Sequence, residues 1–234
     1  MKKFISVLSI ALCLIGVILW QLFDNSANYY LISVIILVLS MLPFFLSFEH
    51  SRPKAREIAL IASLTAIAVV SRAVFYLIPQ VKPIGAVVVV AAACLGAKRG
   101  YLIGAMSAFI SNFIFGQGMH TPFQMVALGL AGFAAGLLFK KIKVNRLSLS
   151  IAGFVLCFAL YGLIVDLSSV LMFSTEFNLS AILTIYSAGF YFNLTFGIAT
   201  AVFLFIFGEP FVKKINRIII KYGVLQEIQY KKIR

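Results

Sequence analysis

The sequence has little charge, and acidic residues are especially few. Only 12% of its 234 residues are charged, against about a quarter in a typical soluble domain, whereas 62% are hydrophobic. This balance excludes an ordinary soluble domain and is typical of an integral membrane protein. The basic excess, a formal net charge of +13, then reflects membrane topology and not a nucleic-acid-binding surface.

Several motifs that carry chemistry are missing as well. The sequence holds no G-x-x-x-x-G-K-[ST] phosphate loop, no H-E-x-x-H zinc site, no G-x-S-x-G nucleophile and no paired-glutamate motif of membrane proteases. The arginine array of a voltage sensor is also absent. Cys13, Cys94 and Cys157 lie in apolar segments without the spacing of a metal site or a disulfide framework. We therefore expect no enzyme, no metal and no cofactor.

What the sequence does contain is a series of apolar segments. About 20 apolar residues in a helix cross the hydrocarbon core of a bilayer. We predict an all-α, polytopic transmembrane bundle with eight spans, of which the fourth and fifth are short: 4–23, 30–48, 57–78, 84–97, 101–115, 122–139, 148–173 and 181–208. The first run has no A-x-A cleavage site and is long, which favours a retained helix over a signal peptide.

The basic residues predict the orientation of these spans. All of them except Lys82 and Arg72 fall in alternate loops or at the termini, on the side that the positive-inside rule makes cytoplasmic. Both termini are therefore predicted to be cytoplasmic. The opposite loops, 79–83, 116–121 and 174–180, are predicted to face the outside of the cell.

We divide the chain into a two-helix hairpin at 1–48, a six-helix core at 49–210 and a basic cytoplasmic tail at 211–234, which we expect to lie on the anionic inner leaflet. Small residues recur every four positions within the core, a pattern that lets membrane helices approach closely. They are Gly96, Gly100 and Gly104; Gly132 and Gly136; Ala55, Ala59 and Ser63; and Ala62 and Ala66.

Residues 116–125 (GQGMHTPFQM) form the only long polar interruption of an otherwise apolar region. Thr121 before Pro122 is typical of a helix start, with Thr121 as the N-cap. Gln124 is placed to reach back to a backbone N–H, as in a capping box. A helix that begins here directs free N–H groups and a positive dipole end outward, which suits a polar ligand.

Two charged side chains lie well inside predicted spans, Arg72 in the third and Asp166 in the seventh. Each costs about 2.5–3.5 kcal/mol at a helix centre on insertion scales, and both are expected about 10 Å below the outer surface. They either line an outward-opening cavity or form a structural ion pair, unless Arg72 snorkels to the surface. Polar side chains at the same depth favour the cavity: Tyr76, Asn112, Gln117, His120, Thr121, Gln124, Tyr161, Tyr186, Tyr191 and Asn193.

Residues 55–210 resemble the substrate-binding (S) components of energy-coupling factor (ECF) transporters. The resemblance is carried by a six-span block with cytoplasmic ends, by ALIASLTAIAVVSRAVF in the third span, and by FGQGMHTPFQMVALGLAGFAAGLL. The last is similar to a loop and helix that such proteins often write as a Gly-rich turn, T-P-x-Q-M and a Gly/Ala helix. Spans 1–48 depart from the family's usual six-helix core.

The resemblance implies high-affinity capture of a vitamin or similar micronutrient at an outward-facing pocket in a bacterial plasma membrane. It further implies delivery by toppling of the S component in the membrane, with a separate transmembrane coupling subunit and two ATPase subunits. The implied contacts with the coupling subunit are Ala59, Ala62, Ser63 and Ala66. The candidate ligand-binding residues are Arg72, Tyr76, Asn112, Gln117, His120, Thr121, Gln124, Asp166 and Tyr191.

The polar inventory suits a neutral or zwitterionic ligand with a ring to stack. Within the family, the T-P-x-Q-M loop favours a corrinoid such as cobalamin, while riboflavin, pantothenate and a queuosine precursor stay open. Two other classes of function also stay open. One is a ligand-free membrane scaffold in which Arg72 and Asp166 form a structural bridge, and the other is a stand-alone proton-coupled carrier with Asp166 as the relay.

Overall fold

The structure of the protein is a computed structural model that describes residues 53–79, 81–118, 120–173 and 179–224, together with 41, 42, 46, 48 and 49. The regular structure in these ranges is helical, which confirms the predicted all-α bundle. Its α-helices are α1 (Ala55–Val74), α2 (Ile84–Leu95), α3 (Ala97–Phe115), α4 (Thr121–Leu138), α5 (Arg146–Val155), α6 (Gly162–Phe173), α7 (Leu179–Phe203) and α8 (Glu209–Tyr222). Two π-helical segments, Leu156–Tyr161 and Leu204–Gly208, join α5 to α6 and α7 to α8. The predicted span 4–23 and nearly all of 30–48 lie outside the described residues.

Four helical rods of the described chain are long and apolar enough to cross a membrane: Ala55–Val74, Thr121–Leu138, Arg146–Met172 and Leu179–Tyr222. These correspond to the third, sixth, seventh and eighth predicted spans. The fourth predicted span becomes α2, which at twelve residues is about 18 Å long and shorter than the hydrocarbon core. The fifth becomes α3, which begins earlier than predicted because Gly96 alone makes the turn, with φ of +87°.

The short helix α2 lies at the centre of the bundle. Every one of its residues except Ala93 is buried. It packs against α1, α3, α4, α5, α7 and α8, so its apolar surface is covered on all sides. A helix too short to span the bilayer is stable here because its ends meet protein and not lipid.

The small residues of α3 and α4 let the two backbones approach closely, as the four-residue spacing predicts. A Cβ placed on Gly100 would lie 2.6 Å from the carbonyl oxygen of Gly132, and a Cβ on Gly132 would lie 2.7 Å from the carbonyl carbon of Gly100. At these positions backbone meets backbone, so no larger side chain fits. The contact holds α4, and the polar stretch at its start, firmly against α3.

Polar contacts fix the predicted cytoplasmic ends of the helices. Glu57 on α1 is buried and paired with Arg99 on α3. Asn145 and Ser148 form a reciprocal capping box at the start of α5. The first part of the predicted tail is the amphipathic helix α8, which buries Val212, Ile215 and Ile219 against the bundle. Residues 225–234 lie outside the described residues, and the division into hairpin, core and tail stays a prediction.

Candidate functional site

A cavity of about 460 Å³ opens at the predicted outer end of the bundle. It lies among α1, α4, α6 and α7, with the π-helical segment before α6 and the 81–83 loop completing its wall. Polar, aromatic and aliphatic side chains line it. The lining residues that bear on function are Arg72, Lys82, Gln124, Tyr161, Asp166, Ser169, Phe192, Asn193 and Phe196.

Arg72, in the last turn of α1, is held in the cavity wall by α3. Its Nη1 donates hydrogen bonds to Ser111 Oγ at 2.6 Å and to Asn112 Oδ1 at 2.9 Å. Its guanidinium lies 4.4 Å from the centre of the Phe115 ring, within the range of a cation–π contact. The Nε atom of Arg72 is buried without a hydrogen-bond partner. The two hydrogen bonds and the ring contact therefore fix the position of the Arg72 side chain, while its Nε–H makes no hydrogen bond.

Asn112 connects Arg72 to the polar stretch at the start of α4. It is fully buried, and its Nδ2 donates to Thr121 Oγ1 at 3.0 Å and to Gln124 Oε1 at 2.9 Å. Thr121 Oγ1 also accepts the backbone N–H of Gly118 at 3.2 Å. Asn112 on α3 thus bonds to groups on α1 and α4, and this network gives Gly118, Thr121 and Gln124 of the stretch 116–125 their partners.

The predicted capping of α4 is wrong in detail. The helix begins at Thr121, its N-cap residue is His120, and the His120 side chain makes no capping bond. The Thr121 hydroxyl oxygen accepts from Asn112 and Gly118, and Gln124 accepts from Asn112 instead of reaching back to its own helix start. The buried amide of Asn112 needs hydrogen-bond acceptors, so it bonds to Thr121 and Gln124, the two side chains that were predicted to cap the helix.

Asp166 on α6 and Asn193 on α7 form the other polar wall of the cavity. Asn193 Nδ2 donates to Asp166 Oδ2 at 2.7 Å, and Asp166 is only 8% exposed. No ion pair joins Asp166 to Arg72, although both line the same cavity. The alternative of a structural Arg72–Asp166 ion pair is therefore wrong, because each side chain is engaged by neutral partners, and both line the cavity as the favoured interpretation predicted. The scaffold interpretation loses the bridge on which it depended.

Several predicted residues lie away from the cavity. Tyr76 is 65% exposed and stacks against Phe115, with ring centres 5.3 Å apart. Tyr191 is 70% exposed, because it lies two residues from Asn193 and so faces away from the cavity. Gln117 donates to the Phe109 carbonyl oxygen at 3.0 Å and borders a separate apolar groove.

His120 lies beside Gly118 at the turn into α4 and does not line the cavity. Burial lowers the pKa of its imidazole, and the nearby Arg72 lowers it further. Both effects favour the neutral form of the imidazole. Its role as a ligand contact stays a prediction.

Several residues that line the cavity were not among the predicted ligand-binding residues. Lys82 is the only basic residue of the predicted outer loops, a signal that marked it as unusual. Burial lowers the pKa of its ammonium group, and Arg72 adds to the effect. Tyr161 and Asn193 were in the polar set but were not selected, and Phe192 and Phe196 carry no signal in an apolar helix.

The predicted docking residues share one face of α1. Ala59, Ala62, Ser63 and Ala66 are exposed, whereas Leu60, Ile61 and Leu64 on the other side of the helix are buried. An exposed strip of small side chains permits close approach of another helix. Contact with a coupling subunit at this face stays a prediction.

The fold and the cavity together define a class: a multi-pass helical membrane protein with an internal polar chamber sized for a small molecule. The profile of the family described as ECF-type riboflavin transporter, S component, matches residues 52–217. The chain therefore belongs to this family, and it is a substrate-binding subunit of a vitamin transporter and not an enzyme. No curated protein and no solved structure matches the chain.

Membership confirms the predicted S component over most of the chain. The family's T and ATPase subunits are the partners of such a component, which agrees with the missing nucleotide-binding loop. The preference for a corrinoid receives no support, because the matching family is of the riboflavin type.

Proposed function

We propose that this protein captures riboflavin, or a closely related flavin, from outside a bacterial plasma membrane. It then delivers the vitamin inward together with a separate coupling subunit and two ATPase subunits. The observation that carries the proposal is a cavity of about 460 Å³, lined by aromatic and polar side chains, within the segment that matches the riboflavin-type S components.

The size of the cavity favours a flavin over a corrinoid. Pockets that enclose a drug-sized molecule measure roughly 300–1,000 Å³, so this cavity suits a ligand toward the small end of that range. A corrinoid with its macrocycle and nucleotide is several times larger than a flavin. It would leave most of its surface outside the cavity.

The chemistry of the lining also suits a flavin. Tyr161, Phe192 and Phe196 offer ring surfaces for a planar tricyclic ring system. Arg72, Lys82 and Gln124 offer donors for ring carbonyl groups, while Asp166 and Asn193 offer acceptors for hydroxyl groups. A neutral ligand that carries both kinds of group is matched on both sides of the cavity.

Delivery is proposed to use the exposed small-residue face of α1. The fixed position of Arg72 and the close contact between α3 and α4 favour movement of the protein as a unit, with the cavity reoriented by toppling. The transport step therefore requires the coupling and ATPase subunits. A stand-alone proton-coupled carrier would transport without them and would respond to the pH gradient.

A thermal-stability screen of the purified full chain tests the proposal. The panel contains riboflavin, cobalamin, pantothenate and a queuosine precursor. A ligand at about 100 times its Kd stabilises the folded state by about 2.7 kcal/mol. We expect riboflavin alone to raise the unfolding temperature, and Gln124→Ala to reduce the shift. Stabilisation by cobalamin and not by riboflavin would contradict the proposal.

A further inference from the structure

Two consecutive helices carry matching glycine motifs at the cavity. Gly162 and Asp166 are four residues apart on α6, and Gly189 and Asn193 are four residues apart on α7. Residues at this spacing lie on the same face of a helix. The two helices pack against each other, so each glycine of one faces the polar residue of the other.

The polar side chains occupy the space that the glycines leave empty. A Cβ on Gly189 would meet Asp166 Oδ1 first and would lie 2.7 Å from both Cγ and Oδ2 of the same carboxylate. A Cβ on Gly162 would lie 2.7 Å from Cγ and 2.8 Å from Nδ2 of Asn193. An alanine at either position therefore displaces a side chain of the cavity wall. At the contact of α3 with α4, by contrast, the space beside the glycines is filled by backbone.

We propose that Gly162 and Gly189 are positioning residues for the ligand. They seat Asn193 and Asp166 so that these two side chains bond each other and turn their remaining oxygen atoms toward the cavity. This inference rests on the proposed function and adds the orientation of the ligand: its hydroxyl-bearing chain meets α6 and α7, and its ring carbonyls meet Arg72 and Lys82.

The orientation follows from counting donors and acceptors. Asn193 uses Nδ2 to bond Asp166 Oδ2, which leaves a carboxylate oxygen of Asp166 and the amide oxygen of Asn193 as acceptors. Such a wall recognises O–H or N–H groups. The α1 side carries the guanidinium of Arg72, and the neighbouring 81–83 loop carries the ammonium of Lys82; both groups are donors only. A carbonyl edge is complementary to that side.

The test compares two flavins on the purified full chain. Riboflavin carries a polyhydroxy side chain, and lumiflavin has the same ring with a methyl group in its place. We expect the wild-type protein to bind riboflavin more tightly. Gly189→Ala should weaken riboflavin binding by at least about tenfold, the equivalent of one hydrogen bond to a charged group. It should change lumiflavin binding much less.

Gly197→Ala is the matched control on the same helix. Its Cβ would lie 2.8 Å from Phe158 Cβ, so it also crowds the helix interface, but without touching a polar side chain of the cavity. We expect it to change both affinities by the same factor. If Gly189→Ala also lowers both affinities equally, the glycine is merely structural and the inference is overturned.

Asp166→Asn tests the same idea without a new Cβ, in case Gly189→Ala does not fold. It keeps the shape and an acceptor for Asn193 but removes the negative charge. We expect selective loss of riboflavin affinity, and unchanged selectivity overturns the inference. Failure of the wild-type protein to bind either flavin would instead contradict the proposed function itself.

Discussion

Two helix pairs of this bundle use glycine for opposite purposes. Between α3 and α4, the space beside Gly100 and Gly132 is filled by the backbone of the facing helix. Between α6 and α7, the space beside Gly162 and Gly189 is filled by Asn193 and Asp166. The first pair is therefore a rigid frame, and the second is a wall whose polar surface belongs to the cavity. Substitutions should separate the two roles.

The largest expected effect is on the frame. Gly132→Val places methyl groups where the Gly100 carbonyl lies, and backbone cannot move aside as a flexible side chain can. Overpacking of this kind costs about 1–3 kcal/mol or more. We expect the unfolding temperature of the detergent-purified chain to fall further than in any other variant described below. Gly153→Val is the control, because a Cβ at Gly153 meets the flexible end of the Leu204 side chain. Equal loss of stability in the two variants would contradict the idea that the backbone contact of α3 with α4 is the more rigid one.

Asn112→Ala tests the link between the frame and the cavity. It removes bonds to Arg72, Thr121 and Gln124, but Arg72 keeps its bond to Ser111 and Thr121 keeps its bond to Gly118. Gln124 loses the bond from Asn112, and a buried polar group left unpaired costs about 1–3 kcal/mol. We expect a marked fall in the unfolding temperature and weaker riboflavin binding. Asn216→Ala is the matched control, because Asn216 Oδ1 has no partner to lose. Similar stability for the two variants would contradict the network.

Ala62→Phe concerns a third set of small residues, on α1, which the described chain leaves exposed. A bulky ring there should leave riboflavin binding unchanged and reduce uptake by the assembled transporter at least about tenfold, equivalent to roughly 1.4 kcal/mol of lost docking. Uptake in membranes that contain all subunits is the measurement. Ile151→Phe, at an exposed site on α5, is the control. Normal uptake by Ala62→Phe would exclude this docking face.

The smallest expected effect is at Lys82. Its pKa is lowered in the folded protein by burial and by Arg72, so the unfolded chain binds the proton more tightly. The free energy of unfolding therefore rises with pH between the lowered pKa and the ordinary value. We expect Lys82→Met to flatten this rise, to stabilise the unliganded protein slightly and to weaken riboflavin binding severalfold. Thermal unfolding across alkaline pH checks the sign, and an unchanged slope would contradict it.

The sequence predicted the helical class and the identity of the buried polar residues well. Arg72, Gln124 and Asp166 line the cavity because a polar side chain in an apolar span needs a partner or a chamber. It did not predict their partners. Arg72 bonds to Asn112 and not to Asp166, since the choice depends on helix rotation and on sub-ångström distances.

The sequence also did not predict which face of each helix is buried. Membrane helices are apolar on most sides, so periodicity does not show which face is inside. Tyr191 and Tyr76 were therefore selected although they are exposed, while Phe192 and Phe196 were missed. Gly162 and Gly189 each lie four residues before a polar residue, Asp166 and Asn193. This spacing is present in the sequence, but its meaning becomes clear only when the structure shows which side chain faces each glycine.

Titration of riboflavin fluorescence with the purified wild-type chain and with Ala188→Trp tests the central claim most directly. Ala188 lines the cavity, and an indole there would take up space that a flavin ring needs, while the frame between α3 and α4 is left intact. We predict saturable quenching with one flavin per wild-type chain and no saturable quenching with Ala188→Trp. Equal quenching by both proteins would show that riboflavin binds elsewhere and would contradict the assignment of this cavity.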